Sequence, residues 1–286
     1  VRSGSSSGGS GGGSNAAAVA GMTHFKSLRP TPEQLAALPL RPGRNKVVFT
    51  VMSYFQGTKE VHASIYLWDW RAKIVISDID GTITRSDVMG HVLPTLGRDW
   101  SHAGVAQLYS DIYDNDYKLL YLTSRPIGHA NRTRGYLDTL KQPGDVMLPD
   151  GPVLMTPERL LTALQHEIAK RAYIFKSACL ADIRSLFPPH IMPFYAGFGN
   201  RESDSTAYRA IGISPYRIFI VNYEGVLRSY NTTYRKTYAT LNELVDHAFP
   251  PVRAARTGLV AALDRRLAAV GTAPRGGGGG GGGRGG

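Results

Sequence analysis

A single cysteine, Cys179, among 286 residues rules out an internal disulfide and fits a reducing compartment. No apolar run approaches the roughly 18 residues that a membrane span needs, and no signal-peptide pattern is visible, so the chain reads as soluble or peripheral to a membrane. There is no internal repeat, and no basic-aromatic motif that would make nucleic acid an expected partner. Acidic residues are outnumbered, 22 against 33 Lys and Arg, for a formal charge of +11. That excess sits in the ends: residues 1–44 carry +4 and 253–286 carry +5, leaving +2 for 45–252. Such tails either stay solvated or add about 1 kcal/mol per basic residue near an anionic lipid surface.

The ends also lack the apolar residues that a core requires, since Val1 to Gly21 is rich in Gly, Ser and Ala and Gly276 to Gly286 is nearly all Gly. The expected division is therefore a Gly/Ser-rich tail over 1–27, a β-rich segment over 28–72, a catalytic domain over 73–252 and a basic, Gly-rich tail over 253–286. Thr31, Pro32 and Glu33 predict a capped helix start. Lys46–Met52 and His62–Trp68 read as strands, with a turn at Gln56-Gly57-Thr58-Lys59; a lone hairpin is marginal and calls for a partner sheet. From Ile74 onward, short apolar runs alternate with helical stretches: Ile74–Ile76, Leu119–Leu122, Ile174-Phe175, Phe194–Phe198 and Ile218–Val221. That alternation predicts an α/β fold with a mostly parallel sheet. Thr156-Pro157-Glu158 predicts a helix start, Thr240-x-x-Glu243 a capping box, and Leu259 to Val270 a solvated, amphipathic tail helix. Cys179 reads as a buried structural thiol.

The run Ile74-Val75-Ile76-Ser77-Asp78-Ile79-Asp80-Gly81 ends an apolar strand in two carboxylates two residues apart. Residues i and i+2 of a strand share a face, and the carboxyl edge of an open α/β sheet is where ligands bind. Charges that close repel unless a cation lies between them, and hard oxygen donors suit Mg²⁺. A carboxylate can also attack phosphorus, which makes Asp78 the candidate nucleophile and Asp80 the candidate general acid and base. The plainer alternative is that Asp80-Gly81 is a turn after a buried strand. Phosphoryl transfer then needs a donor, a fixed cation and a further metal ligand. Thr123 is the expected donor and Arg125 a clamp for phosphate or for loop structure. Lys176 is placed to neutralise developing charge, although a lysine near a helix start is usually solvated. Asn200 and Asp204, in Gly197-Phe198-Gly199-Asn200-Arg201-Glu202-Ser203-Asp204, are candidates for metal ligation, with helix capping the alternative for Asp204.

This order of carboxylate pair, hydroxyl, lysine and Gly-Asn/Asp resembles the haloacid dehalogenase superfamily of aspartyl-phosphate phosphatases. Ser77–Asp87, Ile65–Trp68, Thr133–Leu137, Phe175-Lys176 with Cys179-Leu180, and Phe198–Arg201 with Asp204 and Ala207-Tyr208 narrow the resemblance to the catalytic half of lipins, Mg²⁺-dependent phosphatidate phosphatases. It covers about Asn45 to Pro250. The resemblance implies a Rossmann-like haloacid dehalogenase fold preceded by a partial β-sandwich. It also implies catalysis by Asp78, Asp80, Thr123 and Lys176, phosphate or substrate binding by Thr82, Ser124 and Arg125, and Mg²⁺ held by Asp78, Asp80, Asn200 and Asp204. The implied substrate is phosphatidate in membranes, the products diacylglycerol and phosphate, and the place the cytosolic face of a membrane, the endoplasmic reticulum by the same resemblance. An amino-terminal lipin segment, in cis or in trans, is the implied partner. Two departures stand out: lipins usually have Cys-Ser-Ala-Arg where this chain has Leu122-Thr123-Ser124-Arg125, and Met89-Gly90-His91-Val92-Leu93 does not match the animal co-regulator motif. A phosphatidate sensor without turnover is a second reading, against which both Asp78 and Asp80 argue, and another phosphatase of the superfamily is a third.

Overall fold

Every residue from Ile74 to Ile76 is fully buried, so the strand that carries the first carboxylate is covered on both faces, as a central parallel strand must be. The computed structural model describes residues 30–55, 57–85, 100–157, 165–229 and 236–252. The chain divides into two compact units, Val1–Leu40 and Arg41–Gly286. In the first, α1 (Pro32–Ala36) starts as the sequence predicts: Thr31 Oγ1 accepts from the Gln34 amide at 3.2 Å and Gln34 Oε1 accepts from the Thr31 amide at 2.9 Å.

The second unit opens with an antiparallel hairpin, β1 (Gly43–Ser53) and β2 (Gly57–Leu67). The expected turn at Gln56–Lys59 is displaced toward the amino terminus, because cross-strand pairing continues through Thr58 opposite Met52 and Lys59 opposite Val51. The hairpin forms its own two-stranded sheet and is tied down at its base. Asp150 Oδ1 accepts from Arg44 Nη1 at 3.1 Å and from Tyr66 Oη at 2.9 Å.

The main body continues with β3 (Lys73–Asp78), α2 (Val105–Asp114), β4 (Tyr117–Pro126), α3 (Ala130–Thr139), a small ribbon of β5 (Lys141–Gln142) and β6 (Val146–Met147), β7 (Val153–Thr156), α4 (Gln165–Ser185), β8 (Phe194–Gly199), α5 (Glu202–Ala210), β9 (Ile218–Val221), β10 (Val226–Ser229), β11 (Lys236–Thr237), α6 (Tyr238–Asn242) and α7 (Val245–Ala248). Seven strands form one sheet in the order β11-β10-β9-β8-β3-β4-β7. The five from β9 to β7 are parallel, and β10 and β11 are antiparallel additions. Apolar residues from α2, α3 and α6 cover one face around Val75, Leu119 and Phe198, while α4 and α5 cover the other around Ile74, Ile76 and Leu120. The chain is thus an α/β protein with a mostly parallel sheet.

Two further expectations are corrected. Ile174-Phe175 is not a strand but part of α4, because Phe175, Cys179, Leu180 and Ile183 recur at helical spacing and pack on one core cluster. The third parallel strand is instead Val153–Thr156, too short and too weakly flanked to stand out. The capping box at the chain's last strand belongs to Thr237 and Thr240, where the Thr240 amide donates to Thr237 Oγ1 at 3.2 Å and the Thr237 amide to Thr240 Oγ1 at 2.8 Å, leaving Glu243 at the far end of the helix. The helix start expected at Thr156-Pro157-Glu158 runs into residues 158–164, which lie outside the described residues, as do the Met89–Leu93 stretch and the tail helix expected over Leu259 to Val270.

Cys179 is half-buried, and burial, with Asp182 nearby, pushes its thiol up to about 11. Only the thiolate alkylates, so iodoacetamide labelling of the native protein should be slow at pH 8 and accelerate toward pH 11; fast labelling at pH 8 contradicts this environment. Phe249 is fully buried beside Tyr117, Tyr195, Phe198 and Phe219. Phe249→Ala should lower the unfolding free energy by about 3–5 kcal/mol in urea titrations.

Candidate active site

Three adjacent strands, β8, β3 and β4, bring their carboxyl ends together at the middle of the sheet, the place where a parallel sheet leaves room for a ligand. Asp78 is the last residue of β3. Beyond it the chain wraps around one backbone oxygen, since the amides of Thr82, Ile83 and Thr84 all donate to the Ile79 carbonyl at 3.3, 2.9 and 3.1 Å. Gly81 takes φ +79° inside that wrap, a conformation that side chains disfavour. Asp80-Gly81 is therefore a turn, and it carries a carboxylate of the site as well.

Asp78 is almost wholly buried, and its Oδ1 accepts from Lys176 Nζ at 2.5 Å. The same ammonium donates to Asp204 Oδ1 at 2.6 Å. Lys176 reaches this position from inside α4, not from the end of a strand as expected, and it is buried, which sets aside the alternative of a solvated side chain. Burial pushes the Asp78 carboxyl above the usual carboxylate range, with Lys176 pulling it down and Asp204 adding to the rise. Burial works against the Lys176 ammonium, but Asp78 and Asp204 outweigh it and hold the group charged.

Asp204 serves two ends at once. Its Oδ2 accepts from the Asn200 and Arg201 amides, both at 3.1 Å, which caps α5, while Oδ1 faces Lys176. The approach depends on Gly199 at the end of β8: a Cβ there would stand 2.5 Å from the Asp204 Cβ. Asn200 is half-buried at the same turn.

Asp80 faces the other way. Arg125 grips it from the end of β4, Nε lying 3.0 Å from both carboxylate oxygens and Nη2 2.5 Å from Oδ1. Thr123 Oγ1 donates to Asp80 Oδ2 at 2.9 Å and accepts from the Arg125 amide at 3.1 Å. The two carboxylates thus stand on separate cations, Asp78 on Lys176 and Asp80 on Arg125. Thr82 Oγ1 makes a long 3.4 Å contact to Asp78 Oδ2, and Ser124 lies half-buried between Thr123 and Arg125. Among the described residues, no three His, Cys, Asp or Glu side chains gather in a metal-ready cluster, in keeping with the outward turn of Asp80.

Two supports escaped the sequence reading. Ser77 Oγ donates to the Asp78 carbonyl at 2.7 Å and pairs with Tyr109 Oη at 2.8 Å, so the tyrosine is the donor in that second bond. Tyr238 Oη donates to the Thr82 carbonyl at 2.9 Å. Both rings lie far from β3 in sequence and carry no local signal beyond that of a core aromatic. Thr133 Oγ1, 3.4 Å from Arg125 Nη1, steadies the guanidinium from α3.

A family model described as LNS2 (Lipin/Ned1/Smp2) matches residues 26–250. The chain belongs to the LNS2 family of lipins. It is 50% identical over 231 residues to phosphatidate phosphatase LPIN1 of Homo sapiens, an alignment covering 80% of this chain and 26% of that protein. It is also 49% identical over 224 residues to phosphatidate phosphatase PAH1 of Arabidopsis thaliana, with 78% and 25% covered. A third relative, phosphatidic acid phosphohydrolase 1 of Saccharomyces cerevisiae, is 45% identical over 243 residues, with 80% and 28% covered. The LNS2 chain spans about a quarter of the length of these relatives.

Removing Lys176 leaves two buried carboxylates without their counter-charge. Lys176→Met should therefore cost about 3–5 kcal/mol of stability by chemical denaturation; a loss below about 1 kcal/mol would mean that the ion triad is not closed to water.

Proposed function

We infer that this chain is the catalytic part of a phosphatidate phosphatase and that it works through a phosphorylated Asp78 in a haloacid dehalogenase-like domain. The observation that carries the reading is the buried Asp78 at the end of the central strand, with Lys176 and Asp204 on one side and the Asp80–Arg125–Thr123 cluster on the other. The family and the names of its members supply the substrate. The parallel order β9-β8-β3-β4-β7, with the nucleophile on the central β3, supports the fold assignment.

In this scheme Lys176 holds Asp78 Oδ1 and directs Oδ2 toward the phosphorus. A bond forms from Oδ2 to phosphorus as the ester P–O bond breaks, and the leaving glyceryl oxygen takes a proton from Asp80. Diacylglycerol departs. Water then attacks the aspartyl-phosphate, Asp80 takes its proton, and cleavage of the bond to Asp78 releases inorganic phosphate. Asp80 has to leave the fork of Arg125 to play either part. Once it does, Arg125, Thr123 and Ser124 are donors for the phosphoryl oxygens, and Thr82 steadies Asp78.

The donor types suit a hard divalent cation, although Asp80, held by Arg125, does not stand with the others as a ready cluster. Asp78, Asp80, Asn200 and Asp204 are all oxygen donors, and the buried Asp78–Asp204 pair carries one more negative charge than Lys176 balances. These four would hold Mg²⁺, which when bound neutralises charge on the phosphoryl oxygens. No helix among the described residues is long and apolar enough to cross a membrane. By family resemblance the substrate is met at a bilayer surface, that of the endoplasmic reticulum, and an amino-terminal lipin segment is the proposed partner.

The test is Mg²⁺-dependent phosphate release from phosphatidate in mixed micelles. Asp78→Asn should lower it by about 10³-fold or more; equal release by that variant would sink the mechanism. Gly199→Ala should also cut turnover by about tenfold or more, because the added methyl displaces Asp204.

A further inference from the structure

We propose that three buried tyrosines, Tyr109, Tyr208 and Tyr238, are positioning residues for Asp78 that reach it from both faces of the sheet. Each is fully buried, so none touches substrate, and each comes from a different helix: α2, α5 and α6. Tyr109 and Tyr238 belong to the core cluster on one face of the sheet, Tyr208 to the cluster on the other. The rings alone do not account for them. Phe198, Phe219 and Phe249 share the cluster of Tyr109 and Tyr238 without a hydroxyl, and the Phe198 centroid lies 5.3 Å from that of Tyr109 and 6.2 Å from that of Tyr238. A phenol oxygen taken out of water costs free energy unless it finds a partner. What sets the three tyrosines apart is therefore where their hydroxyls go.

All three converge on the end of β3. Tyr109 Oη donates to Ser77 Oγ at 2.8 Å, and that hydroxyl donates on to the Asp78 carbonyl at 2.7 Å. From the opposite face, Tyr208 Oη donates at 2.9 Å to the carbonyl of Phe198, the residue paired with Ser77 across the sheet. The same phenol oxygen accepts from the Asp78 amide. Its ring passes close under β8 because that strand has Gly197, where a Cβ would stand 2.5 Å from the ring. Tyr238 Oη donates to the Thr82 carbonyl at 2.9 Å, and Thr82 Oγ1 stands 3.4 Å from Asp78 Oδ2. The main chain of Asp78 is thus held at its amide and at its carbonyl. Lys176 holds Oδ1, and a threonine fixed by Tyr238 flanks Oδ2.

This role rests on Asp78 being the nucleophile. A carboxylate at a strand end can rock with its peptide planes, whereas attack in line with a breaking P–O bond tolerates little of that, a misplacement of about 1 Å costing about 100-fold in rate. Pinning the amide and the carbonyl leaves only the side-chain torsions, which Lys176 and Thr82 set. Burial pushes all three phenols above their usual range and the charge of Asp78 adds to the rise, so each keeps its O–H as a donor.

Removing one hydroxyl at a time tests the brace. Tyr109→Phe, Tyr208→Phe and Tyr238→Phe keep each ring and should each lower kcat about tenfold with KM unchanged. The loss should be the same on phosphatidate and on a small aryl phosphate, because attack on phosphorus is common to both. Tyr117→Phe is the comparison. It deletes a phenol that donates at 3.0 Å to the Pro250 carbonyl, at the end of β4 away from the site, and should leave turnover at the wild-type level. Rates are read below the thermal unfolding midpoint of each variant, so that only folded protein is compared. Turnover by the three variants equal to that of Tyr117→Phe would overturn the brace. So would a rise in KM at constant kcat, a loss confined to phosphatidate, or a loss that Tyr117→Phe shares in proportion to its unfolding midpoint. Full activity of Asp78→Asn would instead remove the nucleophile reading itself, whatever the tyrosine variants do.

Discussion

One ammonium between two buried carboxylates sets the terms for the rest of this molecule. Lys176 satisfies Asp78 and Asp204 together, and burying those charges is tolerable only because each also has a second support. Asp204 takes two amides at the start of α5, and Asp78 sits on a strand end braced from below by Ser77 and Tyr109. Coulomb attraction is strong where water is excluded, and so is the penalty for leaving a charge unpaired. The core around β3, the cap of α5 and the length of α4 are consistent with that single requirement.

Arg125 and Asp80 form a second, more open ion pair at the mouth of the site, where Asp80 retains partial exposure. The contrast between the two pairs gives the two aspartates different characters. Asp78 is held in place by deep burial. Asp80 is held by a fork whose natural alternative partner is any other oxyanion. Position, not side-chain chemistry, separates the two settings.

The parallel sheet was readable because its strands are short apolar runs buried on both faces, and the carboxylate pair because Asp78 and Asp80 close the most apolar of them. Lys176 could be named as a cation near phosphate, but its true setting could not: Ile174-Phe175 mimics a strand locally, and only the longer recurrence through Cys179, Leu180 and Ile183 reveals a helix. Val153–Thr156 went unseen for the opposite reason, since four half-buried residues carry little periodic signal. Arg125 shows a further limit. A side chain reaching 45 residues back to grip a carboxylate leaves no trace in spacing, and neither does Tyr109, which looks like any core aromatic of an amphipathic helix.

Those separations bear on how the chain is made. Asp78 waits 98 residues for Lys176, and the lysine is a further 28 residues from Asp204. Contacts that distant close late, after loop entropy has been overcome and the neighbouring strands have docked. A growing chain emerging in order therefore presents β3 with its terminal carboxylate long before any counter-charge exists. The triad of charges is absent from every form too short to include Asp204, and its last carboxylate arrives with α5, before β9, β10 and β11 are added to the sheet.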